Sequence, residues 1–178
     1  DAEGFRGALP DIAHLQPLRN FVAYVERKLF VHNLTHAATA YLGYHRGYAY
    51  IYEAIRDSEI RAQVEGAGKE SCAALATKRG LDARALAGHL NDLIGRYHNT
   101  ARADQITRVA RDPLRKLRPD DRLIGAARLC VEQGVQPEYI AVATAAAIHH
   151  DGPVFIITTN RPRTSESASS VTSRCCRT

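Results

Sequence analysis

The stretch Asp82-Ala83-Arg84-Ala85-Leu86-Ala87-Gly88-His89-Leu90-Asn91-Asp92-Leu93-Ile94-Gly95-Arg96-Tyr97 decides the fold class. Its large apolar residues, Leu86, Leu90, Leu93, Ile94 and Tyr97, recur at i, i+4, i+7, i+8 and i+11. That is one face of an amphipathic helix, and it leaves no strand alternative. Asp82 stands where an N-cap belongs.

The same texture extends in both directions. Upstream, Lys78-Arg79-Gly80 reads as a basic last turn closed by glycine, ending a helical region over residues 50–79 that carries Ile51, Ile55, Ile60, Val64, Ala67, Ala74 and Leu75. Before it, Val22, Val25, Leu29, Asn33, His36, Ala37, Ala40 and Tyr41 predict a long helix over residues 21–42, bent near Asn33 and ended by Gly43 and Gly47. Downstream, residues 119–133 (Leu123, Ile124, Ala127, Cys130, Val131) end at Gly134, and residues 137–149 open on Pro137. The body is therefore expected to be all-α and multi-helical. Residues 1–20, punctuated by Gly4, Gly7, Pro10 and Pro17, read as a lead-in, and the helical domain is placed at residues 21–152. After Asp151-Gly152-Pro153 the character changes. Val154-Phe155-Ile156-Ile157-Thr158-Thr159 is the one strand-like run, and the Ser-, Thr- and Arg-rich remainder of residues 153–178 reads as a disordered tail.

Composition excludes several functions. The chain has 24 basic and 19 acidic residues, but Arg161, Arg163, Arg174 and Arg177 against Glu166 leave 20 and 18 in the first 160. A nearly neutral body with interleaved charges is not a nucleic-acid-binding surface. No apolar run approaches the roughly 20 residues that span a bilayer, and no leader is evident, so a cytoplasmic location is expected. The chain begins at Asp1 and has no Met, which points to missing upstream sequence. Cys72 and Cys130 sit in apolar helical stretches and are expected as buried thiols, while Cys175 and Cys176 adjoin in the tail.

Two clusters can carry chemistry. The first is Glu26-Arg27-Lys28-Leu29-Phe30-Val31-His32-Asn33-Leu34-Thr35-His36. On a regular helix, Lys28, His36 and Asn33 would sit at roughly 0°, 80° and 140°, within about 12 Å along the axis, so all three can border one cleft. A desolvated lysine can take the proton of a carbinol hydroxyl, with Asn33 and His36 donating to its oxygen. The bland alternative is an ordinary helix surface. His32 and His36 also have the spacing of two metal ligands, but the adjacent His149 and His150 do not form a second helical pair, and no metal is expected. The second cluster is Arg108-Val109-Ala110-Arg111-Asp112-Pro113-Leu114-Arg115-Lys116-Leu117-Arg118. Such runs are usually solvated surface, yet the Asp112-Pro113 turn can gather cations where a phosphate or polyol is gripped. No G-x-G-x-x-G turn, G-x-x-x-x-G-K-[ST] loop or G-x-S-x-G elbow occurs.

Glu26-Arg27-Lys28-Leu29-Phe30, then Asn33, His36-Ala37 and Ala40-Tyr41-Leu42-Gly43, resembles the long-chain mannitol dehydrogenase family, whose catalytic pattern is Lys, four residues, Asn, two residues, His. The resemblance continues through Ala54-Ile55-Arg56-Asp57, Lys69-Glu70-Ser71, Gly95-Arg96-Tyr97-His98-Asn99, the second cluster and Asp120-Asp121-Arg122-Leu123-Ile124, covering residues 4–152. It implies the helical C-terminal domain of a zinc-independent, NAD-dependent dehydrogenase whose active site lies between this domain and an N-terminal Rossmann domain that is absent here. It further implies Lys28 as general base, Asn33 and His36 around the reacting oxygen, and Arg108 and Lys116 as substrate contacts. Charge adds Arg111 and Arg115 as phosphate ligands. The members it is most similar to interconvert mannitol 1-phosphate and fructose 6-phosphate; a non-phosphorylated polyol or sugar acid is the alternative substrate, and a non-catalytic helical domain the alternative function. Alone, the chain is expected neither to bind NAD nor to turn over. Beyond Pro153 the match stops, and the tail resembles out-of-frame sequence.

Overall fold

A computed structural model describes residues 1–8, 10–15 and 17–150. The strand-like run, the tail and the last two residues expected for the helical domain lie outside the described residues. The helices in chain order are α1 (Phe21–Arg27), a π-helical segment (Lys28–Asn33), α2 (Leu34–His45), α3 (Ile51–Ala54), α4 (Ser58–Arg79), α5 (Ala83–Tyr97), a 3-10 turn (Thr100–Arg102), α6 (Ile106–Ala110), α7 (Pro113–Lys116), α8 (Ile124–Glu132) and α9 (Glu138–Ile148). Among the described residues there is no strand, only the single antiparallel bridge Tyr50–Gln105. The expected all-α class is what the structure has.

Helix α5 forms as its periodicity dictates. Asp82 caps it by accepting from the Arg84 and Ala85 amides at 3.0 and 3.3 Å, and its buried residues are Leu86, Leu90, Leu93, Ile94 and Tyr97. The 22-residue α4 is the spine, packing against α1, α2, α5, α8 and α9. Asp57 caps it through the Glu59 and Ile60 amides, and Gly80 at φ +62° ends it. That cap corrects the expected single helical region over residues 50–79. Asp57 takes an extended conformation to bind the amides ahead of it, so α3 stops at Ala54 and a new helix begins at Ser58.

Helix α2 lies at the centre, touching α3, α4, α6 and α9, with Leu34, Thr35, Ala37 to Tyr41 and Gly43 all buried. A helix buried on most sides needs small residues wherever a neighbour crosses it. Gly43 is such a site rather than the expected terminator: α2 continues to His45, and Gly47 at φ +76° follows it. A Cβ at Gly43 would lie 2.7 Å from both the Ala54 Cβ and the Ile106 Cδ1.

Two further expectations are corrected. The helix over residues 21–42 is not regular, because its middle is the π-helical segment. The helix expected from residue 119 starts at Ile124, since Asp121 accepts from the Arg122 amide and turns the chain there. Val22, Val25, Val131 and Val142 follow the periodicity but are exposed.

Substituting Gly43→Ala should lower unfolding stability by about 1–2 kcal/mol, because overpacking of about 1–3 kcal/mol outweighs the helix-propensity gain. Urea unfolding measures it; an unchanged or raised midpoint would mean that Ala54 and Ile106 yield freely.

Candidate functional site

Helices α6 and α7 are joined by a two-residue elbow, Arg111 in an extended conformation and Asp112 at φ +61°, with Pro113 opening α7. Proline fixes the entry into α7 and aspartate tolerates the left-handed region, so this short sequence can reverse the chain without glycine. Pairing of residues 49–51 with 104–106, through Ile51 N to Asp104 O and Ile106 N to Ala49 O at 2.9 Å each, anchors α6 across α2. The result is a cleft of about 420 Å³ lined by His36, Arg108, Val109, Arg111, Asp112, Arg115, Lys116 and Arg122. Thus His36 meets all four cations expected from the second cluster, although 72 to 80 residues separate them in sequence.

The cations differ in how far they are already neutralised. Arg108 pairs with Asp104; Arg115 pairs with Asp112 at 2.9 Å and Asp121 at 3.4 Å; Arg122 pairs with Asp121 at 2.8 Å. Arg111 instead donates Nε to the Arg108 carbonyl at 3.2 Å and, among the described residues, has no carboxylate partner. Lys116 is buried, donates to the Arg111 carbonyl and places its Nζ 5.8 Å from the centre of the Tyr41 ring. Burial first, then Arg122 and Arg115, push its pKa down to about 8. Five cations on one concave wall, with Asp112 the one acid among the lining residues, make the cleft electropositive.

His36 closes the other wall. Its ring stacks on Tyr97 at 5.4 Å and 18°, and its Nε2 is 3.5 Å from the Asp104 carboxylate without a hydrogen bond. Burial drives its pKa down to about 4; Asp104 opposes this, while His32, Arg108 and Arg102 reinforce it. At neutral pH the imidazole is therefore uncharged and able to donate or accept, but not to act as a cation.

Lys28 and Asn33 bound the π-helical segment and do not line the cleft. Lys28 is exposed and Asn33 half-buried. Lys28 lies close enough to His32 to help burial and Arg96 lower that imidazole's pKa, and the His32 and His36 rings are 6.3 Å apart. The desolvated lysine of the cleft is thus Lys116, whereas the sequence suggested that character for Lys28. Sequence reasoning also missed Arg122 and Asp104 as site residues. Arg122 stood in a recognisable string but carried no spacing signal, and Asp104 reaches His36 only through the pairing of residues 49–51 with 104–106. Beneath the cleft, the Tyr41 hydroxyl is buried and has no hydrogen-bond partner among the described residues.

Other expectations find their places. Cys72 and Cys130 are buried free thiols, with pKa pushed up by burial to about 11 and about 12. Among the described residues, no three His, Cys, Asp or Glu side chains are grouped to hold a metal, and no helix is long and apolar enough to cross a membrane.

The fold and the cleft together define an all-α domain with a cationic, ligand-sized hollow beside the first turn of its most buried helix. The chain belongs to the mannitol dehydrogenase C-terminal domain family, which it matches over residues 20–154. It is 47% identical over 128 residues to a mannitol-1-phosphate 5-dehydrogenase from Caldanaerobacter subterraneus subsp. tengcongensis, an alignment covering 72% of this chain and 33% of that protein. With a mannitol-1-phosphate 5-dehydrogenase from Brevibacillus brevis it shares 41% identity over 153 residues, 86% of this chain and 40% of the relative. The chain therefore spans two fifths or less of the length of these relatives.

Two outcomes are expected. Because the folded pKa of His36 lies below its ordinary 6.5, folding excludes its proton. Its contribution is complete above about pH 6.5 and is lost as pH falls toward 4. His36→Gln should flatten that part of the stability–pH curve; curves of identical slope between pH 4 and 6.5 would show that the imidazole charges freely in the fold. Tyr41→Phe, which removes an unpaired buried hydroxyl, should leave the thermal midpoint unchanged or raise it, since such a group costs about 1–3 kcal/mol. A clear fall would mean that the hydroxyl has a partner in solution.

Proposed function

We propose that this chain is the substrate-holding C-terminal part of an NAD-dependent dehydrogenase that interconverts mannitol 1-phosphate and fructose 6-phosphate. The observation that carries this reading is the meeting of the neutral His36 with five cations in one cleft, of which Arg111 has no carboxylate partner among the described residues. A phosphate ester supplies the anion that such a wall lacks, and arginine's planar fork suits it. Two curated relatives carry the name of the corresponding enzyme.

In this reading Arg111 and Arg115 take the phosphate, and Arg108 and Lys116 the hydroxyls of the chain. The uncharged His36, with Asn33, donates hydrogen bonds to the reacting oxygen without protonating it, and so steadies the alkoxide as it develops. Lys28 takes the hydroxyl proton on oxidation and returns it on reduction. The bound dinucleotide supplies hydride exchange with the carbinol carbon. The described residues do not form a dinucleotide cradle: they contain no strand leading into a glycine-rich turn. That cofactor belongs to an N-terminal Rossmann domain outside this chain, which would also cover Lys28. A charged phosphate ester does not cross a membrane unaided, so the reading includes a cytoplasmic location.

A second reading has its own observation. Lys116 is buried in the cleft with a pKa near 8, the character expected of a general base. Fructose-6-phosphate-dependent oxidation of NADH by the protein with its dinucleotide domain separates the two. Lys28→Ala should lower kcat by about 100-fold or more. Arg111→Ala should chiefly raise KM for the phosphate ester, by about tenfold or more, with little effect on free fructose, whereas Lys116→Ala should raise KM for both sugars with little effect on kcat. A kcat collapse in Lys116→Ala with Lys28→Ala unaffected would move the base to Lys116, and equal use of free fructose by the wild type would remove the phosphate from the reading.

A further inference from the structure

The π-helical segment Lys28–Asn33 is held by hydroxyl groups from three other helices, α2, α4 and α5. The Ser71 hydroxyl on α4, fully buried, donates to the Phe30 carbonyl at 2.7 Å. The Thr35 hydroxyl donates to the Val31 carbonyl at 2.8 Å. The Tyr97 hydroxyl on α5 lies 2.9 Å from the Thr35 Oγ and 3.2 Å from the His32 carbonyl, so its single proton is shared between them. Three consecutive carbonyls, Phe30, Val31 and His32, thus all have a hydroxyl within hydrogen-bond reach.

We propose that Ser71 and Tyr97 are positioning residues that lock this wide turn and thereby set where Lys28 and Asn33 stand relative to His36; the inference rests on the catalytic reading of those three residues. A wide turn accommodates one more residue than a regular helix over the same rise, and such turns persist where side chains insert into the hydrogen-bond ladder. Closing it to a regular helix would turn Lys28 by roughly 100° about the axis relative to His36. It would also strand the Ser71 hydroxyl in the core, where an unpaired polar group is costly. Tyr97 acts twice, because its ring stacks on His36 while its hydroxyl reaches the backbone one turn earlier. The wide turn is therefore fixed from α4 on one side and α5 on the other, whereas the cations of the cleft, on α6, α7, the elbow between them and the turn before α8, take no hydrogen bond from the Ser71 or Tyr97 hydroxyls.

The test uses Tyr97→Phe, which keeps the ring against His36, and Ser71→Ala, both in the protein with its dinucleotide domain. Amide hydrogen exchange across residues 28–36 should quicken at least tenfold in each variant, while α8 and α9 keep the wild-type rate. In the same variants kcat for fructose 6-phosphate should fall about tenfold or more, with KM changed less than twofold. A lower melting temperature with unchanged kcat and unchanged exchange at residues 28–36 would overturn the proposal and leave the two hydroxyls as ordinary core contacts. Should Ser71→Ala fail to fold, Tyr97→Phe decides alone. Exchange needs no turnover: a wild type without dehydrogenase activity would overturn the catalytic reading and the positioning role with it, and unchanged exchange would remove the lock as well.

Discussion

Everything in this domain depends on burying α2 on nearly every side. Ala37, Ala38, Ala40 and Gly43 let other helices come close to its backbone, and the neighbours reciprocate: a Cβ at Gly68 of α4 would lie 2.5 Å from Leu90 and 3.1 Å from Thr35. Close packing of this kind leaves little freedom in how α3, α4, α6 and α9 surround the central helix. Because α6 must cross α2, the basic elbow that follows α6 is delivered to His36 near the start of α2. The site is a by-product of how the core closes.

Electrostatics then decides what the cleft can hold. Five cations on one wall would repel one another strongly if all were bare. Asp104, Asp112 and Asp121 offset Arg108, Arg115 and Arg122, and leave the charge of Arg111 and Lys116 facing the hollow without a carboxylate among the described residues. His36, kept neutral by burial at the far wall, adds polarity without further positive charge. A cationic group at one end and an uncharged hydrogen-bonding group at the other suit a molecule that is itself anionic at one end and hydroxylated along its length.

How much of this was legible in the sequence follows from which forces are local. Helix α5 could be read residue for residue, because its apolar face is periodic and Asp82 caps it within its own first turn. Asp57 was equally local, but its capping role was overlooked inside a longer apolar pattern, so two helices read as one. The wide turn was visible only as a suspected bend near Asn33. What holds it, Ser71 and Tyr97, lies 41 and 65 residues away from the carbonyls they reach. The cations of the cleft could be named from composition and resemblance, but not Asp104 or Arg122, whose places depend on the pairing of residues 49–51 with 104–106 and on the turn before α8. Val22 and Val25 obey helical periodicity yet remain about half exposed among the described residues, which shows that periodicity reports a face and not what covers it.

The central claim is that one small molecule bridges the two walls of the cleft, its anionic end on Arg111 and its reactive oxygen at His36. A crystal structure of the protein with its dinucleotide domain, bound to fructose 6-phosphate, tests this most directly. The account predicts the phosphate within hydrogen-bond distance of the Arg111 and Arg115 guanidinium groups, and the ketone oxygen within reach of His36 and Asn33. A phosphate held away from the α6–α7 elbow, or a ketone oxygen remote from His36, would contradict it.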